Sequence, residues 1–291
     1  MIFPRIAIIG FGLIGSSLGR AIKQHALAGT LVAADRDEAA RAEILALGLA
    51  DLVTGDLLVA VENADLVILA TPVATYADIG RTIAPGLKPG AIVSDVGSVK
   101  QAVWRDLAPT LPAHARLVPG HPIAGTEKSG PGAGFASLFE GRWCILTPTA
   151  ETDRAAVEAV KALWQAIGSD VEEMDADHHD KVLAITSHLP HLIAYTIVGT
   201  AVDLEDDIQS EVVKFSASGF RDFTRIAASD PTMWRDIFLN NREAVLEMLQ
   251  RLTEDLFALQ RAIRWGEGDF LHERFTRARA IRRSVIEAKQ A

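Results

Sequence analysis

Hydrophobic and polar positions follow two periods along this chain, and the change between them divides it. Residues 6–9, 31–34, 66–70, 92–94, 117–119 and 143–146 are short apolar runs rich in β-branched side chains, the mark of strands buried on both faces. Between them, residues 38–47, 75–83 and 154–167 show the 3.6-residue spacing of amphipathic helices. Strand alternating with helix predicts an α/β fold with a doubly wound parallel sheet. From about Asp175 the strand signals stop. Asp177 is a candidate cap for a helix running through Lys181 and Leu192 to Val202, with a kink at Pro190. Asp230-Pro231 marks a second helix start, and that helix is expected to reach Ile263. A last helix is expected over 270–288. The predicted division is therefore 1–174, a nucleotide-type α/β domain, and 175–291, an all-helical domain.

The first strand ends in Gly10, and Gly10, Gly12 and Gly15 form G-x-G-x-x-G. Each position has a physical reason for glycine: a tight turn, room for a pyrophosphate against the backbone, and close helix–strand packing. The helix that follows offers free N–H groups to a phosphate. The second strand ends at Asp35, about 20 residues beyond the last glycine, where a ribose-binding carboxylate is expected. This context makes a Rossmann-type dinucleotide site out of a motif that is weak alone. Asp35 favours NAD, because a carboxylate repels the 2′-phosphate of NADP, while the adjacent Arg36 could accommodate it. Gly10, Phe11, Gly12, Leu13, Ile14, Gly15, Asp35 and Arg36 are the cofactor-binding candidates, with Thr71 and Pro72 after the 66–70 strand.

The bulk composition narrows the partners. A net charge of −9 over 291 residues disfavours nucleic-acid binding. The run of arginines at 274, 277, 279, 282 and 283 reads as a solvated or interface face. Cys144 is the only cysteine, which fits a reducing cytoplasm. The chain opens directly on a strand, so no cleavable signal is expected. Residues 182–202 carry no Asp, Glu, Lys or Arg, a length that could cross a membrane. Internal histidines, Ser187 and Pro190, and the lack of aromatic belts, argue instead for a helix buried in a domain core or subunit interface. The apolar surface of the helical half exceeds what a short bundle hides, so a homodimer is expected.

Four segments carry groups able to do chemistry. In Asp95-Val96-Gly97-Ser98-Val99-Lys100, Ser98 and Gln101 match a capping box, and a capping hydroxyl can still face a cofactor. In Gly120-His121-Pro122, His121 lies in a loop beyond a strand, as a general base or as a partner for backbone groups. Ser187-His188-Leu189-Pro190-His191 puts two histidines on one helix face, as satisfied core groups or a cleft lining. No ligand-spaced cysteine or carboxylate joins them, so no metal site is expected. In Ser218-Gly219-Phe220-Arg221-Asp222-Phe223-Thr224-Arg225, Asp222 can cap a helix, and Arg225 suits either a surface ion pair or a carboxylate clamp.

Taken together and in order, G-x-G-L-I-G-S-S at 10–17, D-V-G-S-V-K at 95–100, H-P-I-A-G at 121–125, S-H-L-P-H at 187–191 and G-F-R-D-F-T-R-I-A at 219–227 resemble the prephenate/arogenate dehydrogenase family of tyrosine biosynthesis. The resemblance covers nearly the whole chain. It implies a nicotinamide-binding domain, a helical dimerisation domain and a cleft between them. It also implies roles: His121 as catalytic base, Ser98 as the residue that orients it, and Ser187, His188 and His191 lining the substrate cleft. Arg225 is implied to hold the substrate carboxylate, with Gly219, Arg221 and Asp222 flanking the pocket and Trp234 arriving from a partner subunit. The loop before Phe220 reads Ser216-Ala217-Ser218-Gly219 where the family often has a run of glycines. No chorismate mutase segment is expected ahead of the fold and no regulatory domain behind it, so any feedback by tyrosine would have to act in the cleft. The implied reaction is NAD-dependent oxidative decarboxylation of prephenate, arogenate or both. Two other readings share these features. One is a β-hydroxyacid dehydrogenase or a pyrroline carboxylate reductase; a lysine base would support the first, and Lys181 and Lys214 are the nearest candidates, though neither sits in a fitting motif. The other is a non-catalytic dinucleotide sensor.

Overall fold

In the computed structural model, which describes residues 1–202, 211 and 214–287, the chain packs as two compact units, 1–242 and 243–291. The first unit is built on a six-stranded sheet, all parallel, in the order β3-β2-β1-β4-β5-β6. Its strands are β1 Phe3–Ile9, β2 Ala28–Ala34, β3 Leu52–Thr54, β4 Leu66–Leu69, β5 Ile92–Asp95 and β6 Arg116–Val118. This is the doubly wound order of dinucleotide-binding sheets, with its switch point between β1 and β4.

The apolar runs are continuous because both faces of the sheet are covered. Ile6, Ile8, Leu31, Ala33, Leu66 and Ile68 pack into one core with helices α1 (Leu13–Gln24) and α6 (Arg154–Ala166). Ala7, Ile9, Val32, Ala34, Val67 and Leu69 pack into a second with α3 (Leu57–Val61) and α4 (Tyr76–Ile83). Alternate residues of each strand thus serve opposite cores. Carboxylates just ahead of neighbouring strands each hold one strand amide: Asp65 accepts from the Arg5 N–H at 2.8 Å and Asp51 from the Leu31 N–H at 2.8 Å.

Two corrections apply to the predicted strands. Residues 143–146 form a strand, β8 (Trp143–Leu146), but in a separate three-stranded sheet with β7 (Gly120–Pro122) and β9 (Asp170–Glu173). There β7 runs antiparallel to β8, so His121 sits within a strand, opposite Ile145, and not in a loop. The short β3 and the polar β9 have no clear signal in the hydrophobic pattern.

The helices that follow shape the site. α7 (Ala176–Leu183) is capped by Asp175, which accepts from the Asp177 and His178 N–H groups, so the cap is two residues earlier than expected. The chain continues through a π-helical turn at Ala184–His188 into α8 (Leu189–Val202). Pro190 therefore does not break the helix; the wider turn ahead of it accommodates its missing N–H and its ring. Between Leu192 and Thr200 only Ala194 is buried, so this apolar helix is not a core helix of the single chain. Asp222 lies inside the helix Ser218–Thr224, whose cap position is Ala217. Asp230 does cap the helix Pro231–Asn240, through the Met233 N–H at 2.9 Å. That helix stops at Asn241 instead of running on to Ile263, and a new one spans Arg242–Trp265.

In the second unit, the chain turns at Gly266 into the helix Gly268–Glu287; the expected end at Ala288 lies outside the described residues. Leu246, Leu256, Phe257, Ile263, Trp265, Phe275 and Ile281 are exposed there, while Val245 and Ala262 are buried.

Candidate active site

The carboxyl ends of β1, β2, β4 and β5 form the crest where ligands of such sheets bind. At β1, Gly10 has φ +91°, and a Cβ on Gly15 would lie 2.1 Å from the Gly10 carbonyl oxygen, so neither tolerates a side chain. Beside Gly12 there is open space, and α1 starts there without a side-chain cap, leaving amides free for a phosphate. Phe11 and Leu13 are buried, so the turn offers its backbone, not these side chains. Asp35 accepts from the Phe11 N–H at 2.9 Å and the Asp37 N–H at 3.0 Å, which ties the second strand end to the glycine turn. Arg36 is exposed, and Arg41, to which no motif points, donates to the Asp35 and Arg36 carbonyls. Thr71 backs Gly10, and its hydroxyl bonds Thr75 at 2.8 Å; Pro72 is exposed beside it. The residues present fit a dinucleotide.

One crest position further, a buried ion pair fixes the backbone at His121. Asp95 and Lys100 are both fully buried. The Asp95 carboxylate accepts from the Gly97 and Gly120 N–H groups, from Tyr76 and from Lys100. Lys100 also donates to the Gly120 carbonyl at 2.7 Å. Both polar groups of the residue preceding His121 are thereby held. Burial pushes the Lys100 amine below its ordinary pKa, against the opposing pull of Asp95. Burial and the neighbouring Asp95 charge raise the Tyr76 hydroxyl.

The expected Ser98–Gln101 capping box does not form. The segment Lys100–Ala102 is capped by a distant carboxylate: Asp180 accepts from the Lys100 N–H at 2.8 Å and the Gln101 N–H at 2.9 Å. Ser98 is half-buried and makes no hydrogen bond to His121 among the described residues. His121 Nδ1 lies instead 2.9 Å from His179 Nε2.

The helical segments supply the other wall. Trp234 is buried and stacks on His191 of its own chain, with ring centroids 3.6 Å apart, and meets His188 edge-on at 6.1 Å. It packs with Val99 and Ala102, next to Ser98, so it needs no partner subunit to reach this wall. His191 donates from Nδ1 to the half-buried Ser187 carbonyl at 2.9 Å. Asn241, at the helix break, donates to the Asp180 carbonyl at 2.8 Å and to His188 Nδ1 at 3.0 Å. His188 then carries its proton on Nε2, and that N–H and the Trp234 N–H are buried donors without an acceptor among the described residues. Arg225 pairs with Glu127 at 3.1 Å, six residues beyond His121, and its charge acts on His191. Arg225 and His121 therefore border one cluster through His191, Trp234 and His188. Arg221 and Asp222 do not join it: their side chains are 74% and 73% exposed and face each other at 3.7 Å. Gly219 is exposed nearby. Lys181 and Lys214 are exposed, Lys181 pairing with Asp177, so neither stands as a buried base.

Residues 18–173 match the nucleotide-binding domain model of prephenate dehydrogenase, and residues 175–277 match its dimerization domain model. The chain belongs to the prephenate dehydrogenase family. It is 44% identical over 281 residues to the cyclohexadienyl dehydrogenase of Zymomonas mobilis, covering 97% of this chain and 96% of that one. A crystal structure of prephenate dehydrogenase from Aquifex aeolicus with hydroxyphenyl propionate and NAD+ superposes with a TM-score of 0.89 at 34% identity, covering 97% of this chain and 98% of that one. The Synechocystis arogenate dehydrogenase structure follows at 0.79 and 26% identity, covering 96% and 98%. These relatives support prephenate/cyclohexadienyl dehydrogenase activity for this chain.

In such an enzyme the buried histidines matter for stability as well as chemistry. Burial holds His121 well below the ordinary imidazole value, reinforced by the Lys100 charge and by repulsion from any second proton that His179 or His188 takes up. Burial also lowers His179, and it lowers His188 to about 4. The unfolded chain takes up protons near pH 6.5, whereas folded His188 does so only near 4. Its contribution is complete above pH 6.5 and is lost as pH falls toward 4, at about 1.4 kcal/mol per pH unit and about 3 kcal/mol in total. Urea denaturation should therefore show a lower midpoint near pH 5 than near pH 7.5; identical midpoints would contradict neutral buried rings.

Proposed function

We propose that this chain carries out NAD-dependent oxidative decarboxylation of prephenate, arogenate or both, giving 4-hydroxyphenylpyruvate or tyrosine. The observation that carries the reading is the placement of His121: buried, fixed at its backbone by Asp95 and Lys100, and bordered by the cluster that ends in Arg225. NAD, when bound, supplies the acceptor for the hydride from C4. Amides at Gly12 and the start of α1 hold its pyrophosphate, and Asp35 accepts from its ribose, which favours NAD over NADP.

His121 takes the proton of the 4-hydroxyl on Nε2, as a neutral imidazole can near neutral pH. Loss of the ring carboxylate as carbon dioxide then leaves an aromatic ring. Ser98, on the loop after β5, is the residue we assign to the Nε2 side of the ring in the loaded enzyme, since His179 occupies Nδ1. Arg225 holds a substrate carboxylate, exchanging Glu127 for it. The unmatched His188 and Trp234 donors suit an acceptor-rich substrate, and Ser187, His191 and Gly219 line the same wall. Exposure of Arg221 and Asp222 assigns them to the rim.

In the same reading, 1–174 is the dinucleotide domain and 175–291 the helical dimerisation and substrate domain. A second copy covers the exposed apolar residues of α8 and of unit 243–291, in a cytoplasmic homodimer that engages neither membrane nor nucleic acid. The test is direct: NADH formation with prephenate and with arogenate in parallel, and with NADP in place of NAD. No cofactor reduction with either substrate would sink the proposal, and equal kcat/KM with both cofactors would sink the NAD preference. Arg225→Ala should raise KM by roughly 10–100-fold with kcat little changed, because a charged hydrogen bond of that size then disappears from ground and transition states alike. Steady-state kinetics checks it, and an unchanged KM would remove Arg225 from the site.

A further inference from the structure

Two buried side chains stand in line behind the base. The Asp180 carboxylate lies 2.8 Å from His179 Nδ1, and His179 Nε2 lies 2.9 Å from His121 Nδ1. All three residues are buried, and the two rings meet edge-on with centroids 5.1 Å apart. An ionised carboxylate only accepts, so the proton between Asp180 and His179 belongs to His179 Nδ1. A neutral His179 then presents a bare Nε2, and the proton between the rings belongs to His121 Nδ1. The His121 lone pair is left on Nε2.

Asp180 cannot turn away from this task. Its two carboxylate oxygens also receive the Lys100 and Gln101 N–H groups, and its carbonyl receives the Asn241 amide. One residue therefore joins the loop after β5, the helix α7 and the break at Asn241.

We propose that His179 and Asp180 are positioning residues for the His121 base, fixing its tautomer and offsetting the charge it gains. The inference rests on the reading of His121 as the base. Before proton transfer the three groups together carry one negative charge, from two neutral rings and one carboxylate. His121 Nε2 gains the substrate hydroxyl proton and the set becomes neutral, with its Nδ1 proton still directed at His179. Other groups acting on the rings come from several elements. Lys100 from the start of α5 (Lys100–Ala102) disfavours charge on both, His188 from the π-helical turn disfavours it on His121, and Asp95 from β5 favours it on His179. Cys144 on β8 is the neighbouring thiol.

The test uses His179→Leu and His179→Gln in the full chain, with His121→Asn as reference. His179→Leu should lower kcat by roughly 10–10³-fold, part of the 10²–10⁴-fold that a general base contributes. KM should move less than about 3-fold, because His179 does not touch the substrate. The acid limb of kcat should shift to lower pH, since an imidazolium cut off from Asp180 is harder to form. His179→Gln retains an acceptor for the His121 proton and should recover part of kcat while keeping the shifted limb. Ring ¹⁵N shifts should report His121 protonated on Nδ1 in the parent chain and a mixture of tautomers in His179→Leu. A folded His179→Leu with parental kcat and acid limb overturns the proposal. If that variant does not fold, a His179→Gln whose acid limb coincides with the parent's overturns it. Full activity in His121→Asn would instead remove the base itself, which separates the two failures.

Discussion

His121→Asn is expected to lower kcat by about 10²–10⁴-fold while leaving the fold intact. Asparagine approximates the shape of the ring and can still hydrogen-bond, but it cannot take a proton. The strand β7 keeps its pairing with β8, and Gly120 keeps both its bonds, because the clamp on that residue uses backbone groups. The loss should therefore appear in kcat, with cofactor affinity unchanged. The parent enzyme should also stay active at a lower pH than an ordinary histidine would allow, because burial holds His121 well below 6.5. The neutral, competent form persists as pH falls through 6.5 and is lost only below that. In the Asn variant this limb should vanish from the residual rate. Near-parental turnover in the variant would require another base.

The second large effect is on stability. Lys100→Met should cost about 3–5 kcal/mol, the range for removing one partner of a buried ion pair. Neither side chain has any exposure, so water cannot replace the missing ammonium. Asp95 would keep its amide and tyrosine donors but lose its countercharge, and the Gly120 carbonyl would lose a donor. Adding Asp95→Asn should recover part of the loss, since it removes the stranded charge while keeping an acceptor. Urea unfolding of the two variants measures this. A cost under about 1 kcal/mol would mean that the pair contributes no more than an exposed one.

Much of the fold was legible because its signals are local. Strands buried on both faces spell themselves out as runs such as Leu66–Leu69, and the glycine turn needs its glycines for steric reasons. The features that leave no trace in the pattern are set by distant partners. Asp170–Glu173 is a polar strand with alternating exposure, and Gly120–Pro122 has no apolar signature. The residues around Asn241 suit a continuous helix, which stops where the Asn241 amide reaches Asp180 and His188 across the chain. Ser98 and Gln101 fit a capping pattern, yet a carboxylate about eighty residues away takes the amides. His179-Asp180 could have been noticed as a histidine and an acid placed where the helix turns apolar. Its role depends on a meeting with His121 that no spacing encodes.

The parent sheet has grease on both sides, so contrast between wet and dry faces cannot police its alignment. Sliding one strand by a residue would merely exchange one set of aliphatic side chains for another. What such a slip does break is at the margins. Asp65 would no longer meet the Arg5 amide, nor Asp51 that of Leu31. These acids work as index marks, each reading a single amide: one aligns the strand that ends in the glycine turn with β4, the other aligns the strand that ends at Asp35 with β3.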